Sequence, residues 1–151
     1  MGYNTEFQGV LYFTHPLSKE ELSQIESMLG QDIRDHLEWK DKKGLTWINL
    51  CLTDDNSGLM WNGDEKSYDM LDKIELIIRV MRKINPKFGL YGSMLAQGEE
   101  IDDRYYIYMH KPNVPMMKMA EPTDPETILQ CPHCGERFKY GHSIRSGQDA
   151  C

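Results

Sequence analysis

The 151-residue sequence lacks the features that mark several common classes of protein. It contains no apolar run approaching the roughly 20 residues that a membrane-spanning helix needs. Its first residues show neither the basic nor the apolar region of a signal peptide. No P-loop, no Gly-x-Gly-x-x-Gly motif and no Ser/His/Asp or Cys/His arrangement is visible. We therefore expect a cytoplasmic chain without a membrane segment. The sequence leaves open whether it catalyses a reaction, and it favours a protein that does not.

Basic charge is also scarce. The chain carries 17 Lys and Arg against 24 Asp and Glu, a formal net charge of −7. Because neither the part before residue 121 nor the remainder has a basic stripe, we expect nucleic acid not to be the partner. An acidic surface suits a basic protein partner, although such surfaces commonly serve solubility alone.

Apolar periodicity divides the chain into alternating strands and helices. Strands are predicted near residues 9–14, 45–52, 59–61, 88–97 and 105–110, and helices near 18–29 and 67–83. The resulting order, β-α-β-β-α-β-β, predicts an α+β fold with an antiparallel-rich sheet and both helices on one face, in ferredoxin-like style. Since residues 45–52 are apolar on both faces, we expect them to form an inner strand.

Three regions follow from composition. Residues 1–111 form the predicted α+β body. Residues 112–127, rich in proline and methionine, are typical of a linker or an extended arm. Residues 128–151 form a separate tail that contains three of the four cysteines.

The tail contains Cys131-Pro132-His133-Cys134-Gly135, which places two thiols two residues apart on a predicted tight turn. Zinc prefers thiolate ligands, and such a knuckle presents two of them at tetrahedral angles. We expect one structural Zn²⁺ held by Cys131, Cys134, His142 and Cys151. Two alternatives stay open: ligands supplied by the body or a second chain, and a thiol pair that is redox-active or binds no metal.

Acidic residues concentrate in two predicted loops. If strand directions alternate, the loop before the second helix and the last hairpin turn lie at one end of the sheet. That end would gather Asp64, Glu65, Glu99, Glu100, Asp102 and Asp103. We expect a binding surface there, for a basic protein partner or for Mg²⁺ or Ca²⁺, and a solvated hairpin tip is the simpler alternative.

Two aromatic residues complete this predicted binding surface. Trp61 and Tyr68 flank the loop Asn62-Gly63-Asp64-Glu65-Lys66 and could frame a ligand or a protein contact. Alternatively, Trp61 packs on the helix that follows, and Gly63 supplies a positive φ in the connection.

Several of these residues belong to a sequence pattern made of three segments. The pattern consists of Asp55-x-Ser57-Gly58-Leu59-x-Trp61-x-Gly63-x-Glu65-Lys66-x-Tyr68, Gly89-Leu90-x-Gly92 and Gln97-Gly98-Glu99-Glu100-x-Asp102-Asp103-Arg104. On these residues, positions 9–109 resemble a family of small uncharacterised proteins of bacteriophages and prophages. The resemblance implies a bacterial or phage cytoplasmic setting and no particular activity.

Together these observations favour a non-enzymatic protein-interaction module with a structural zinc tail. In a phage setting its partner would be a host or defence protein. The alternative is a small-molecule or nucleotide binder, or an enzyme, that uses the end near Trp61, Tyr68, Glu99 and Glu100. The oligomeric state does not follow from the sequence.

Overall fold

The computed structural model describes residues 3–39 and 44–120, together with the backbone of residues 128–130 and 137–139. The strands of the main sheet are β1 (Glu6–Phe13), β2 (Leu50–Leu52), β3 (Gly58–Trp61), β4 (Leu90–Gln97), β5 (Arg104–Lys111) and β6 (Val114–Met119). The helices are α1 (Lys19–Met28) and α2 (Met70–Ile84), with two short 3₁₀ turns at Ile33–Asp35 and Leu37–Trp39.

The main sheet is antiparallel throughout and has the strand order β2-β3-β1-β4-β5-β6. Its first four strands and two helices reproduce the β-α-β-β-α-β order of a ferredoxin-like unit. The predicted α+β class and antiparallel sheet are therefore confirmed. The β5–β6 hairpin extends this unit on the β4 side, so the sheet gains two strands there rather than the one that we expected.

One face of the sheet carries the core. Alternate residues of β1 and β4, such as Leu11, Phe13, Leu90 and Met94, are buried in one cluster with residues of both helices. Because Ile25 of α1 and several isoleucines of α2 belong to this cluster, both helices cover the same face. The opposite face has no helix on it among the described residues, and we call it the open face.

Local sequence signals position the first helix. Ser18 is the N-cap of α1: its side chain accepts a hydrogen bond from the Glu21 backbone N–H, and the Glu21 carboxylate accepts one from the Ser18 N–H. This is the predicted capping box, which satisfies two backbone donors that the first helical turn leaves free. The second helix begins three residues later than expected, after Asp69 in a left-handed conformation.

The expectation of an inner strand over residues 45–52 was wrong. Only Leu50–Leu52 join the sheet, and they form its edge. The preceding residues bond to the segment after α1 instead: the Ile48 N–H donates to the Gln31 carbonyl at 2.8 Å, and the Ile33 N–H donates to the Thr46 carbonyl at 2.9 Å. Leu45 and Ile48 are buried there, whereas Trp47 is 50% exposed, so the stretch buries apolar side chains without lying inside the sheet.

The stretch that was expected to be a linker or arm contributes to the sheet. Val114–Met119 form β6 and pair with β5 from Met119 opposite Tyr105 to Val114 opposite Lys111. The sheet therefore continues beyond the boundary predicted at residue 111. Farther along, the backbones of β7 (Ile128–Gln130) and β8 (Arg137–Lys139) pair antiparallel in a sheet of their own.

Two glycines allow β1 and β4 to approach closely. Gly92 has φ +109°, and a Cβ atom built there would lie 2.7 Å from the Val10 carbonyl oxygen. Gly9 has φ +111°, and its Cβ would lie 2.5 Å from the Ser93 carbonyl oxygen. Both positions therefore require glycine, because any other residue would combine an unfavourable φ with a clash against the neighbouring backbone.

Candidate functional site

The two predicted acidic loops lie at the same end of the sheet. Both β3 and β4 run antiparallel to β1 and flank it, so both point toward the end of the sheet where β1 begins. Gly58 pairs with Tyr12 and Leu59 with Leu11, and the last residue of β4, Gln97, pairs with Glu6. Electrostatics also connect the two loop regions. Burial, followed by the negative charges of Asp103 and Asp69, raises the pKa of Tyr105.

In the loop between β4 and β5, some acidic side chains form hydrogen bonds that stabilise the fold. The Asp103 carboxylate accepts a hydrogen bond from the Tyr3 hydroxyl, and a Glu99 oxygen accepts one from the Asn4 backbone N–H at 2.7 Å. The Tyr3 oxygen in turn accepts from the Glu100 N–H at 3.1 Å. These contacts anchor the segment before β1, so Glu99 and Asp103 have structural partners, while Glu100 and Asp102 have exposed side chains.

Trp61 is also engaged in the fold. Its ring packs against Phe7 with centroids 5.9 Å apart, and its indole N–H donates to the Ser67 hydroxyl at 2.8 Å. Gly63 has φ +87°. Gly63 thus has the positive φ of the packing interpretation, and Trp61 packs within the fold, against Phe7 of β1 and through a hydrogen bond to Ser67 ahead of α2. Tyr68 is 41% exposed.

Asp64 and Glu65 border a shallow groove of about 480 Å³ with Trp47, Asn49 and Lys66. Asp64 accepts a hydrogen bond from the Asn62 side chain, which stabilises the loop. The described residues include no group of three or more His, Cys, Asp or Glu side chains placed to hold a metal ion.

The predicted zinc ligands lie outside the described residues: Cys131, Cys134, His142 and Cys151. By position in the sequence, Cys131 and Cys134 fall in the six-residue connection between β7 and β8. No helix in the described part of the chain is long and apolar enough to cross a bilayer.

The sequence analysis missed an exposed surface on the open face of the sheet. The register aligns the outward side chains of the open face in rows across neighbouring strands. These rows are Tyr12–Tyr91, then Val10–Ser93–Tyr108–Met116, then Gln8–Leu95–Tyr106–Lys118, then Glu6–Gln97–Arg104. Four tyrosines thus stand on three adjacent strands of one flat face.

Several of these tyrosines are open to solvent. Tyr12 and Tyr91 are 39% and 55% exposed and stack on each other with ring centroids 5.5 Å apart. Tyr106 is 39% exposed and borders a groove of about 320 Å³ with Ser93, Tyr108 and Lys118. The repeated Tyr-x-Tyr spacing in β5 is the signal that could have predicted this surface, because alternate residues of a strand share one face.

A groove of about 510 Å³ lies at the end of the open face beside Tyr12 and Tyr91. It is bordered by His15, whose Nε2 lies 3.0 Å from the buried Glu21 carboxylate. Burial tends to raise the pKa of Glu21, but hydrogen bonds from Ser18, His15 and Asn85 outweigh it and lower the pKa. Since Glu21 also caps α1, this pair stabilises the fold and does not by itself indicate acid–base chemistry.

Comparison with known proteins gives no relative to argue from. No protein-family model, no curated protein and no solved structure matches the chain. The resemblance to small phage and prophage proteins therefore stays a prediction.

Proposed function

We propose that this chain is a non-enzymatic binding module that holds a macromolecular partner on the open face of its sheet. The observation that carries the proposal is the four-tyrosine surface, where Tyr12, Tyr91 and Tyr106 are exposed and Tyr108 is half-buried on adjacent strands. Tyrosine supplies large contact area at low conformational-entropy cost and is enriched at binding hot spots. Contiguous exposed aromatic surface on a soluble domain commonly marks an interaction site.

The site differs from the acidic end that the sequence favoured. Glu99 and Asp103 hold the N-terminal segment, and Trp61 packs on Phe7, so three residues of that predicted surface already have partners in the fold. The tyrosines of the open face have no such covering in the described part of the chain. A protein partner, as the sequence suggested, and a nucleic acid are both compatible with aromatic side chains of this kind.

A structural zinc site in the tail is a second, separate part of the proposal. Two thiolates in the connection of a β-hairpin form a zinc knuckle, and the pairing of β7 with β8 supplies the hairpin. The tail would then be an accessory to the binding surface rather than a catalytic centre, because a closed four-ligand site leaves no position for a substrate water.

Site-specific photo-crosslinking in cells tests the binding surface without knowledge of the partner. A photoreactive phenylalanine would replace Tyr106, Tyr91 or Tyr68 in the full chain. Tyr68 is the matched control, since it is 41% exposed against 39% for Tyr106 but lies outside the strands. Crosslinks from positions 106 and 91 but not 68 would support the proposal. Crosslinks from position 68 alone would assign the acidic end instead, and none from 106 or 91 would refute the open face.

A further inference from the structure

We propose that the partner on the open face is single-stranded nucleic acid, with two or three bases stacked on the tyrosines. This inference rests on the proposed function and names the class of its partner. It departs from the expectation drawn from the net charge and from the absence of a basic stripe in the sequence, and the reason lies in how the fold distributes the charged residues.

The tyrosines form a platform of the right geometry for bases. Tyr12 lies opposite Tyr91 on the neighbouring strand, and Tyr106 and Tyr108 are successive outward residues of the next strand. Adjacent strands are about 4.8 Å apart, so the platform spans roughly 10 Å across three strands. Sheets that recognise RNA present two or three stacking aromatics on such a surface, with helices confined to the other face.

Positive charge collects beside this platform. The hairpin residues 104–120 contain Arg104, Lys111 and Lys118 and no Asp or Glu, whereas the preceding 103 residues carry 11 basic and 19 acidic side chains. Lys118 lies next to Tyr106 in the same cross-strand row, and Arg104 lies in the row beyond it. Among the outward positions of the described strands, Glu6 is the one carboxylate. The open face therefore pairs aromatic rings with cations, as a phosphate-linked chain of bases requires.

Uncharged polar groups complete the surface. Ser93 lines the groove of about 320 Å³ between Tyr106, Tyr108 and Lys118. Gln8 lines a second groove of about 220 Å³ with Glu6, Gln97 and Arg104. The Gln97 side-chain N–H groups already donate to the carbonyls of the β4–β5 loop. Ser93 and Gln8 are therefore the groups that can exchange hydrogen bonds with base edges. A flat platform of this kind can stack unpaired bases, but it offers no helix or ribbon to enter the groove of a duplex.

Fluorescence anisotropy with the full-length chain tests the inference directly. The probes are labelled oligodeoxythymidylate, oligouridylate and a DNA duplex, at about 50 mM salt and upward. We expect both single strands to bind more tightly than the duplex. Tyr106→Ser and Tyr91→Ser should each weaken single-strand binding roughly 5- to 100-fold, the usual effect of removing one stacking side chain. Tyr68→Ser, with a similarly exposed ring away from the face, should leave it unchanged.

The salt dependence separates stacking from simple charge attraction. Lys118→Gln should weaken binding and reduce the slope of log affinity against log salt by about 0.7, as expected for one lost phosphate contact on a single strand. Lys19→Gln, on α1, is the charge-matched control and should change neither. Circular dichroism on every variant would establish that the fold is intact.

Three results would overturn the inference. These are no binding of single strands at low salt, tyrosine variants that bind single strands as tightly as wild type, or a duplex affinity equal to that for single strands. If oligonucleotides fail to bind while position 106 crosslinks to a protein in cells, the nucleic-acid inference falls and the open-face binding module stands. If neither position 106 nor position 91 gives a crosslink, both the nucleic-acid inference and the open-face binding module are refuted.

Discussion

A buried lysine provides the sharpest test of the described core. Lys73 lies on the buried side of α2 with no exposed surface, and its Nζ donates to the Asn49 side-chain oxygen at 2.8 Å. Burial lowers the pKa of Lys73 from 10.5 to about 8, and the nearby charge of Asp69 opposes part of that shift. At neutral pH the folded protein therefore holds a charged ammonium group in its core at a cost in stability.

The size and sign of the cost follow from linkage. A pKa lowered from 10.5 to about 8 means that the unfolded chain binds more protons between those pH values. The free energy of unfolding should therefore rise with pH through this window, and below it the penalty should be about 3 kcal/mol. Lys73→Met keeps most of the side-chain volume and removes the charge, but leaves the Asn49 oxygen without its donor, at about 1–3 kcal/mol. The net gain near pH 7 should then be about 0–2 kcal/mol.

The pH dependence of the difference is the diagnostic quantity. Urea unfolding of wild type and Lys73→Met, followed by circular dichroism, should show the advantage of the variant falling by about 2–3 kcal/mol between about pH 7 and pH 10. Lys83→Met, at an exposed position of the same helix, is the control and should show no such trend. A stability difference for Lys73→Met that is constant with pH would refute the lowered pKa and with it the described environment of the ammonium group.

Three further outcomes test other parts of the structure. Glu21→Gln should lower stability near neutral pH by about 1–3 kcal/mol. Because the pKa of Glu21 is lowered in the fold, the wild-type advantage should be present above the ordinary glutamate range and be lost as the pH falls through the folded value, which acid titration of both proteins measures. Gly92→Ala should lower the free energy of unfolding, measured in urea, by roughly 1–3 kcal/mol. Gly30→Ala is the control and should cost less despite its positive φ, because there is open space around its Cβ. Equal losses of stability in the two variants would contradict the close approach of β1 and β4. Metal analysis of wild-type protein purified without added zinc should give about one zinc per chain. Cys131→Ser should abolish this zinc binding without unfolding the body. Wild-type protein that contains no zinc would refute the proposed site.

Elements governed by local chemistry could be predicted from the sequence. The start of α1 is one: Ser18 and Glu21 specify it through hydrogen bonds that span only three residues. The core stripe of α2 is another, since helical periodicity alone places Ile74, Ile78 and Met81 on one side. Lys73 escaped prediction because its burial depends on Asn49, which is 24 residues away.

Elements set by long-range contacts were predicted less well. Residues 45–48 bond to the segment after α1 and bury Leu45 and Ile48 outside the sheet, and apolar periodicity does not distinguish such a stretch from a strand inside a sheet. β6 was obscured by Pro115. The Ala120 N–H donates to the Arg104 carbonyl, and hydrogen-bonded pairs alternate along an antiparallel ladder. Pro115 therefore stands where an N–H would point away from β5, and an edge strand tolerates proline at such a position.

The candidate sites also combine features that the sequence predicted with features that depend on long-range contacts. Alternating strand directions correctly predicted that the two acidic loops share an end of the sheet. The bonds from Tyr3 and Asn4 to that end cross about a hundred residues of sequence, and no local pattern signals them. The open face escaped notice because Tyr12, Tyr91 and Tyr106 lie on separate strands, and only the register brings them together.

A two-dimensional ¹H–¹⁵N NMR titration of the full chain with a short single-stranded oligonucleotide would show directly which surface binds. Binding on the open face should give saturable shift changes concentrated in β1, β4 and β5, around Tyr12, Tyr91 and Tyr106, with α1 and the Gly98–Asp103 loop little affected. Shift changes confined to the helices or to that acidic loop, or no changes at protein concentrations well above micromolar, would refute single-strand binding on the open face.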